Sequence, residues 1–295
     1  MRIAHLSDLH FGKHDEKLAE GLAAEIASQS PDLVVVSGDF TQRGNAAEFE
    51  AARAFLQALE LPFFAVPGNH DIPLANVVKR FANPYGLYRR YISRELEPFL
   101  EMNGVALAGL RTSRRARLSL NWADGTISRD QLKDLEKRFA KASPEAVRIV
   151  VAHHPLMHPE EPMAKPMRRV KRADLALATF ARLGVRLVLS GHFHMSYVRR
   201  HDSGAEIAAG APVGANEAAA APVMVAQAST TISIRRRGGH LNAYNLIDIE
   251  NGDIRMSLRE WQGKGWKTRE DLTDRVAPAK PEKGVMRGRA ATPKS

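Results

Sequence analysis

RIAHLSDLH (residues 2–10), PDLVVVSGDF (31–40) and FFAVPGNHD (63–71) share one plan, a short apolar strand that runs straight into Gly, Asp, Asn or His. Leu33 to Ser37 is a continuous apolar run bounded by Pro31 and Gly38, as in a strand buried on both faces. Between these strands lie two segments of helical period. Lys17 to Gln29 sets Leu18, Leu22 and Ile26 on one face, and Ala46 to Leu59 is the second. The β-α-β-α-β order over the first 66 residues predicts an α/β fold.

Working outward, Phe99 to Gly109 reads as a hairpin around Asn103-Gly104. Ser128 to Ala142 reads as a helix with Ser128 as its N-cap. Val147 to Ala152 and Arg186 to Ser190 are apolar strands separated by a helix at Asp174 to Leu183. After His194 short strands follow: Val223 to Ser229, Thr231 to Arg235, Ala243 to Ile249 and Ile254 to Trp261, the last two joined by the hairpin signal Glu250-Asn251-Gly252-Asp253. These predict a second, mostly antiparallel sheet. Gly204 to Pro222, rich in Ala and Gly, predicts a long surface loop. Residues 1–262 form the expected domain. Residues 263–295 read as a disordered basic tail, with nine Lys/Arg against four Asp/Glu from Lys264 onward, half of the net charge of +10.

With 295 residues, 44% hydrophobic and 26% charged, the chain has an ordinary globular composition. The basic surplus suggests anionic partners: phosphate esters, nucleic acid or a membrane surface. The absence of cysteine excludes disulfides, a zinc–thiolate site and a cysteine nucleophile. No apolar run approaches the ~20 residues of a membrane helix, and the first residues lack the apolar stretch of a signal peptide. The sequence therefore reads as cytoplasmic; oligomeric state is left open.

Five polar motifs fall where strands end: Asp8-Leu9-His10, Gly38-Asp39, Gly68-Asn69-His70-Asp71, His153-His154-Pro155 and Gly191-His192-Phe193-His194. Sites of α/β proteins lie beyond the carboxyl ends of strands. In extended chain, residues two apart point the same way, so Asp8 can face one point with His10, and His192 with His194. Asp39 adds a carboxylate able to bridge two ions, Asn69 an amide oxygen and His153 an imidazole. Two Asp, one Asn and four His are too many ligands for one tetrahedral ion and suit two larger sites sharing Asp39. With eleven histidines, one such motif arises by chance; five in order do not.

The order D-x-H, G-D, G-N-H-D, H and G-H-x-H resembles the calcineurin-like metallophosphoesterase superfamily. Within it the opening RIAHLSDLHFG and the GNHD motif are most similar to the bacterial class III cyclic-nucleotide phosphodiesterases. The resemblance implies a four-layer αββα sandwich, two packed mixed sheets flanked by helices. It also implies two divalent or trivalent metal ions (Mn, Fe or Zn), one held by Asp8, His10, Asp39 and His194, the other by Asp39, Asn69, His153 and His192. His154 is kept as the alternative to His153. Two such ions would clamp an in-line displacement on a small phosphoester substrate, a bridging hydroxide attacking phosphorus. His70 is the expected acid for the leaving oxygen, and Asp71 is expected to hydrogen-bond His70 and fix its tautomer. Asn69, His70 and Arg43 form the expected substrate contacts; Arg43 stands four residues after Asp39, an offset at which phosphoprotein phosphatases of the superfamily carry a phosphate-binding Arg.

Two basic clusters, Arg111, Arg114, Arg115 and Arg117, and Arg168, Arg169, Lys171 and Arg172, could either be solvated faces or form an electropositive rim around the metals. The alternatives are a nuclease of the same superfamily, drawing on the basic tail for nucleic acid, and a non-catalytic interaction protein clipped by metal. Aromatic residues at 6% do not interleave with the basic clusters as a base-stacking groove needs. No GxxxxGK[ST], GxSxG or HExxH occurs.

Overall fold

The computed structural model describes residues 1–74, 77–114, 124–163, 167–202 and 222–271. Two six-stranded mixed sheets pack face to face. The first contains β1 (Arg2–Leu6), β2 (Leu33–Val36), β3 (Phe63–Ala65), β10 (Ala243–Glu250), β11 (Asp253–Trp261) and β12 (Trp266–Asp271), in the order β12-β11-β10-β1-β2-β3. The second contains β4 (Phe99–Met102), β5 (Val105–Leu110), β6 (Val147–Ala152), β7 (Val185–Ser190), β8 (Tyr197–His201) and β9 (Val223–Gln227), in the order β4-β5-β6-β7-β9-β8. Helices α1 (Glu16–Gln29), α2 (Ala46–Ala58) and α4 (Gly86–Tyr91) cover the outer face of the first sheet, and α5 (Arg129–Phe139) and α6 (Ala173–Arg182) that of the second. The short α3 (Val77–Ala82) precedes α4. This is the expected αββα sandwich.

Strand periodicity builds the layers. Ile3, Leu33, Val35, Val147, Ile149 and Val151 point between the sheets, while Ala4, Leu6, Val34 and Val36 face the first helical layer and Val150 and Ala152 the second. Strands buried on both faces carry near-continuous apolar runs. His5 is satisfied inside this core: Asn245 Nδ2 donates to its Nδ1 at 3.2 Å and its Nε2 donates to Ser37 Oγ at 2.9 Å. The helix starts carry their own caps. Asp15 and Asn45 accept from the third helical residue, and Ser128 makes a reciprocal capping box with Gln131. Both predicted hairpins turn on an Asn-Gly pair with positive φ (49° and 74° at 103–104, 52° and 83° at 251–252), the geometry a two-residue hairpin loop requires.

Three expectations are corrected. The strands after His194 do not form a sheet of their own: β10 pairs antiparallel with β1, and β9 pairs parallel with β7. β10 is buried along most of its length on both faces, so it needs two covering layers that a separate sheet would not supply. Thr231 to Arg235 is not a ladder strand; its donors go to the β1 loop, Thr231 N to Ser7 O at 3.0 Å and Ile234 N to Lys13 O at 3.0 Å. The ordered domain also runs past residue 262, because β12 pairs with β11 and the Trp266 ring lies 5.4 Å from Tyr244 and 5.8 Å from Trp261. A short strand in a charged segment carries little pattern, and Trp266 is the residue that anchors it. The expected loop at 204–222 lies, apart from Pro222, outside the described residues, as does the tail from residue 272. Stopping the chain after Gly263 therefore removes a packed strand. Both this truncation and Trp266→Ala should lower unfolding stability, the point substitution by about 2 kcal/mol because the ring is only partly buried; an unchanged denaturant midpoint would show that β12 does not pack.

Candidate metal centre

The carboxyl ends of β1, β2, β3, β6 and β7 meet at one edge of the sandwich, and the loops leaving them carry all seven expected ligands. The ladder between β1 and β2 continues into the loops, with Asp8 N donating to Gly38 O at 3.1 Å and His10 N to Asp39 O at 3.0 Å. Five of the seven sit in the left-handed region: Asp8 (φ 52°), His10 (49°), Asp39 (55°), His192 (75°) and His194 (56°). Non-glycine residues pay for that conformation and concentrate at functional sites. The glycines of the motifs are needed for clearance. A Cβ on Gly191 would strike Ser7 Oγ and Asp8 Oδ2, and one on Gly68 would strike Asp39.

All seven are buried and close together. Asp8 Oδ1 is 3.2 Å from His194 Nε2 and 3.7 Å from His10 Nε2. Asp39 Oδ2 lies 3.7 Å from His10 Nε2 and 3.4 Å from His153 Nε2, and His153 Nε2 is 3.1 Å from Asn69 Oδ1. His192 stands beside His153 and His154, with ring centroids 5.1 and 4.5 Å away. The ligand atoms of His153, His154 and His192 lie within 4.8 Å of one another, so His154 shares the cluster while its Nδ1 meets Thr112 Oγ1 at 2.7 Å.

The tautomers make this a cation site. The Nδ1 atoms of His10, His153 and His194 face the carbonyl oxygens of Thr41 (3.3 Å), Ser37 (2.7 Å) and Arg235 (2.5 Å). A carbonyl only accepts, so each Nδ1 carries a hydrogen and each Nε2 of a neutral ring presents a lone pair. His10 Nε2 and His194 Nε2 then face each other at 3.1 Å with no hydrogen between them. Beside them Asp8 Oδ1 is buried without a hydrogen-bond partner, while Asp8 Oδ2 accepts from Ser7 Oγ at 2.6 Å and His192 N at 2.8 Å. Buried acceptors converging without donors are what a metal ion satisfies, and mixed N and O ligands suit first-row divalent metals.

Burial, ahead of every other influence, lowers His10 to about 3, and it also lowers His192, so both rings are neutral. Burial works against charge on Asp8 and Asp39, but imidazoles outweigh it, His194 first for Asp8 and His153 first for Asp39, and both carboxyls titrate below their usual range. Burial likewise opposes charge on His153, yet Asp39 raises it to about 9.

One expected contact is not made, the hydrogen bond between Asp71 and His70. His70 Nδ1 donates to Gln42 O at 2.7 Å, and both oxygens of Asp71 are engaged elsewhere: by Thr41 N at 3.0 Å, Thr41 Oγ1 at 3.1 Å and Gly68 N at 2.8 Å. Asp71 thus ties the β2 and β3 loops together, and Gln42 orients His70. Burial, then repulsion from Asp39, pushes Asp71 up to about 7. The Arg43 side chain is exposed, and among the described residues no hydrogen bond or ion pair joins it to the cluster. The guanidinium beside His70 belongs to Arg235, whose Nη1 is 3.4 Å from His70 Nε2 and 3.1 Å from Gln42 Oε1. Arg235 carried one faint signal, as the start of the run Arg235-Arg236-Arg237 at the end of a stretch read as strand, and Gln42 carried none. The basic cluster after the His153 loop is engaged away from the metals: Arg168 with Asp124, Arg169 with Asp174, and Arg172 with Ile127 O. Arg111 lies over the Tyr85 ring, and Arg115 and Arg117 lie outside the described residues.

The sequence profile described as calcineurin-like phosphoesterase matches residues 1–196, two thirds of the chain. The chain belongs to that family. With membership goes the coarse activity, hydrolysis of phosphoesters at a metal-binding site. A Synechococcus protein named as a probable cyclic nucleotide phosphodiesterase is 27% identical over 216 residues, 68% of this chain and 75% of that protein. An Arcobacter nitrofigilis protein named as a probable glycerophosphodiester phosphodiesterase is 27% identical over 56% of this chain, which spans 57% of that relative. A dimetal phosphatase from Danio rerio superimposes with a TM-score of 0.61 over 94% of this chain and 99% of its own, at 13% identity, a likeness of fold. Among the described residues no helix is long and apolar enough to cross a membrane.

The raised His153 has a measurable consequence. Below pH 9 the metal-free ring holds a second proton that must leave before Nε2 can ligate. Metal affinity should therefore rise as pH increases from 7 to 9 and level off above it, with about one proton released per binding event at pH 7.5. Calorimetry in two buffers of different ionisation enthalpy reads this directly, and binding without proton release would contradict it.

Proposed function

We propose that the protein is a binuclear-metal phosphodiesterase of small substrates, with the ions held as two sets that share Asp39. The observation that carries this is the place of Asp39 Oδ2, between His10 Nε2 of one set and His153 Nε2 of the other. Asp8, His10 and His194 complete the first set, and Asn69, His153 and His192 the second. When bound, such ions supply a hydroxide nucleophile at neutral pH and neutralise charge on the phosphoryl oxygens. Manganese, iron and zinc all suit these ligands.

The chain's own residues do the rest. His70 N donates to Asp39 Oδ1 at 2.8 Å, which fixes the His70 backbone to the bridging carboxylate. Its Nδ1 hydrogen is committed to Gln42 O, so it is the doubly protonated ring that hands a proton from Nε2 to the leaving oxygen and keeps the Nδ1 hydrogen. Its ring stands edge-on to His10 at 4.8 Å, directly beside the first set. Asp71, by holding Thr41 and Gly68, positions the loops that carry Asp39 and Asn69. Among small diesters, cyclic nucleotides are the first class to test, given the name of the Synechococcus relative.

His70→Ala should slow a diester with a poor leaving group by ~10²–10⁴-fold, the usual contribution of a positioned general acid. A diester of an acidic phenol, which leaves without a proton, should suffer much less, and metal content should not change. Equal losses on both substrates with metal retained would reject proton donation by His70. No turnover of any diester by metal-loaded protein would reject the proposed function.

A further inference from the structure

A cavity of about 850 Å³ lies between the α4 region, the loop after β5 and the start of α5. None of the seven candidate ligands lines it. Its wall does touch the metal centre: Thr112 Oγ1 meets His154 Nδ1, and Ser113 Oγ donates to Pro67 O at 3.5 Å, two residues before Asn69. Four arginines stand in that wall, Arg89, Arg94, Arg111 and Arg114, against two carboxylates, Glu95 and Glu97. Glu97 Oε1 is already engaged, by Arg111 N at 3.0 Å and by Gln131 Nε2. Arg89 and Arg94 are exposed, and among the described residues neither guanidinium makes an ion pair.

Arg111 is the most confined of the four. It is partly buried, with its guanidinium 5.5 Å from the centroid of the Tyr85 ring. Among the described residues its side chain makes one hydrogen bond, from Nη1 to Ser113 O at 3.4 Å, and that oxygen already accepts from Tyr85 OH at 2.8 Å. Most of a five-donor fork is therefore without a protein acceptor, and a partly buried cation without a counter-charge is costly. Thr126, in the same wall, is a second unmet group. It is 2% exposed, its N donates to Thr112 O at 2.9 Å, and its Oγ1 has no hydrogen-bond partner among the described residues. Buried polar atoms are nearly always paired. Ser128, the N-cap of α5, also lines the cavity, which puts the positive end of the helix dipole at its wall.

An open guanidinium fork, an unpartnered hydroxyl and an excess of positive charge suit a dianion with several acceptor oxygens. A phosphomonoester is such a group, and Arg matches its geometry. The volume lies in the range of small-molecule sites. The one aromatic residue of the wall, Tyr85, has its ring under Arg111, so no face is open for a nucleobase to stack on. Asn83, Ser128 and Gln131 offer amide and hydroxyl groups, which suit a hydroxylated body. We propose that this cavity binds a phosphorylated polyol or sugar at a site separate from the metal centre, Arg111 and Thr126 holding the phosphate oxygens and Arg89 and Arg94 forming the rim. The site needs neither metal nor turnover, so it stands or falls apart from the phosphodiesterase reading.

The test is calorimetry on manganese-loaded full-length protein with 3,4-dihydroxybutylphosphonate, whose P–C bond resists hydrolysis. A saturable binding event is expected that Arg111→Met and Thr126→Val each weaken about tenfold or more, as loss of a hydrogen bond to a charged group does. Thr126→Ser, which keeps the hydroxyl, should retain it. The same event should persist in Asp39→Ala, whose metal centre is impaired. Because the Thr126 hydroxyl is unpartnered in the free protein, Thr126→Val should not lower the thermal midpoint; metal content and midpoint show that each variant is folded and loaded. No binding by the wild-type protein, an event that disappears in Asp39→Ala, or one that either wall variant leaves at full strength would overturn the site. Orthophosphate bound as tightly as the phosphonate would overturn the polyol or sugar class.

Discussion

Between the carboxyl ends of five strands, His10 and His194 aim Nε2 at each other across 3.1 Å, and Asp8 Oδ1 sits beside them with nothing to donate to it. Each ring is locked in that sense by a backbone carbonyl on its other nitrogen. This concentration of buried acceptors is the constraint on which the rest of the site depends. In an apolar interior it is unfavourable without cations, because buried lone pairs and carboxylates are stable only when paired. The same carbonyls serve as outer supports that fix ring orientation, as carboxylates and carbonyls do around metal-bound histidines generally.

Holding those acceptors together strains the backbone. Five of the candidate ligands take positive φ, and the glycines before Asp39, Asn69 and His192 allow loops from different strands to approach closer than a Cβ permits. Asp71 and Thr230 add side-chain ties, one between the β2 and β3 loops and one across to Asp8 O. The sandwich beneath absorbs the cost: its strands are buried on both faces and anchor the loops rigidly.

Much of this was legible in the residues. The alternation of strand and helix over the first 66 residues, the two Asn-Gly hairpins and the Ser128 cap are local signals, and local structure follows them. The seven candidate ligands were legible as a cluster because each motif stands at a strand end. What escaped was tertiary. Which sheet β9, β10 and β11 join depends on which faces are covered, and strand pattern does not encode that. β12 is charged along its length and depends on one aromatic anchor. Arg235 lies some 165 residues from His70 in sequence, and nothing local marks a carbonyl that will hold a distant imidazole. The offset of Arg43 from Asp39 suggested a phosphate contact; in the structure Arg43 is exposed, and its neighbour Gln42 bonds Arg235. Asp71 follows His70 and yet bonds Thr41 of the β2 loop and Gly68 of its own, because adjacent side chains diverge.

The shared carboxylate is the central claim, and metal counting tests it most directly. Wild-type protein equilibrated with manganese and freed of excess metal should hold two ions per chain by elemental analysis, and Asp39→Ala, with its fold verified by circular dichroism, should lose occupancy at both positions. Full retention of one ion in the variant would contradict a bridge through Asp39.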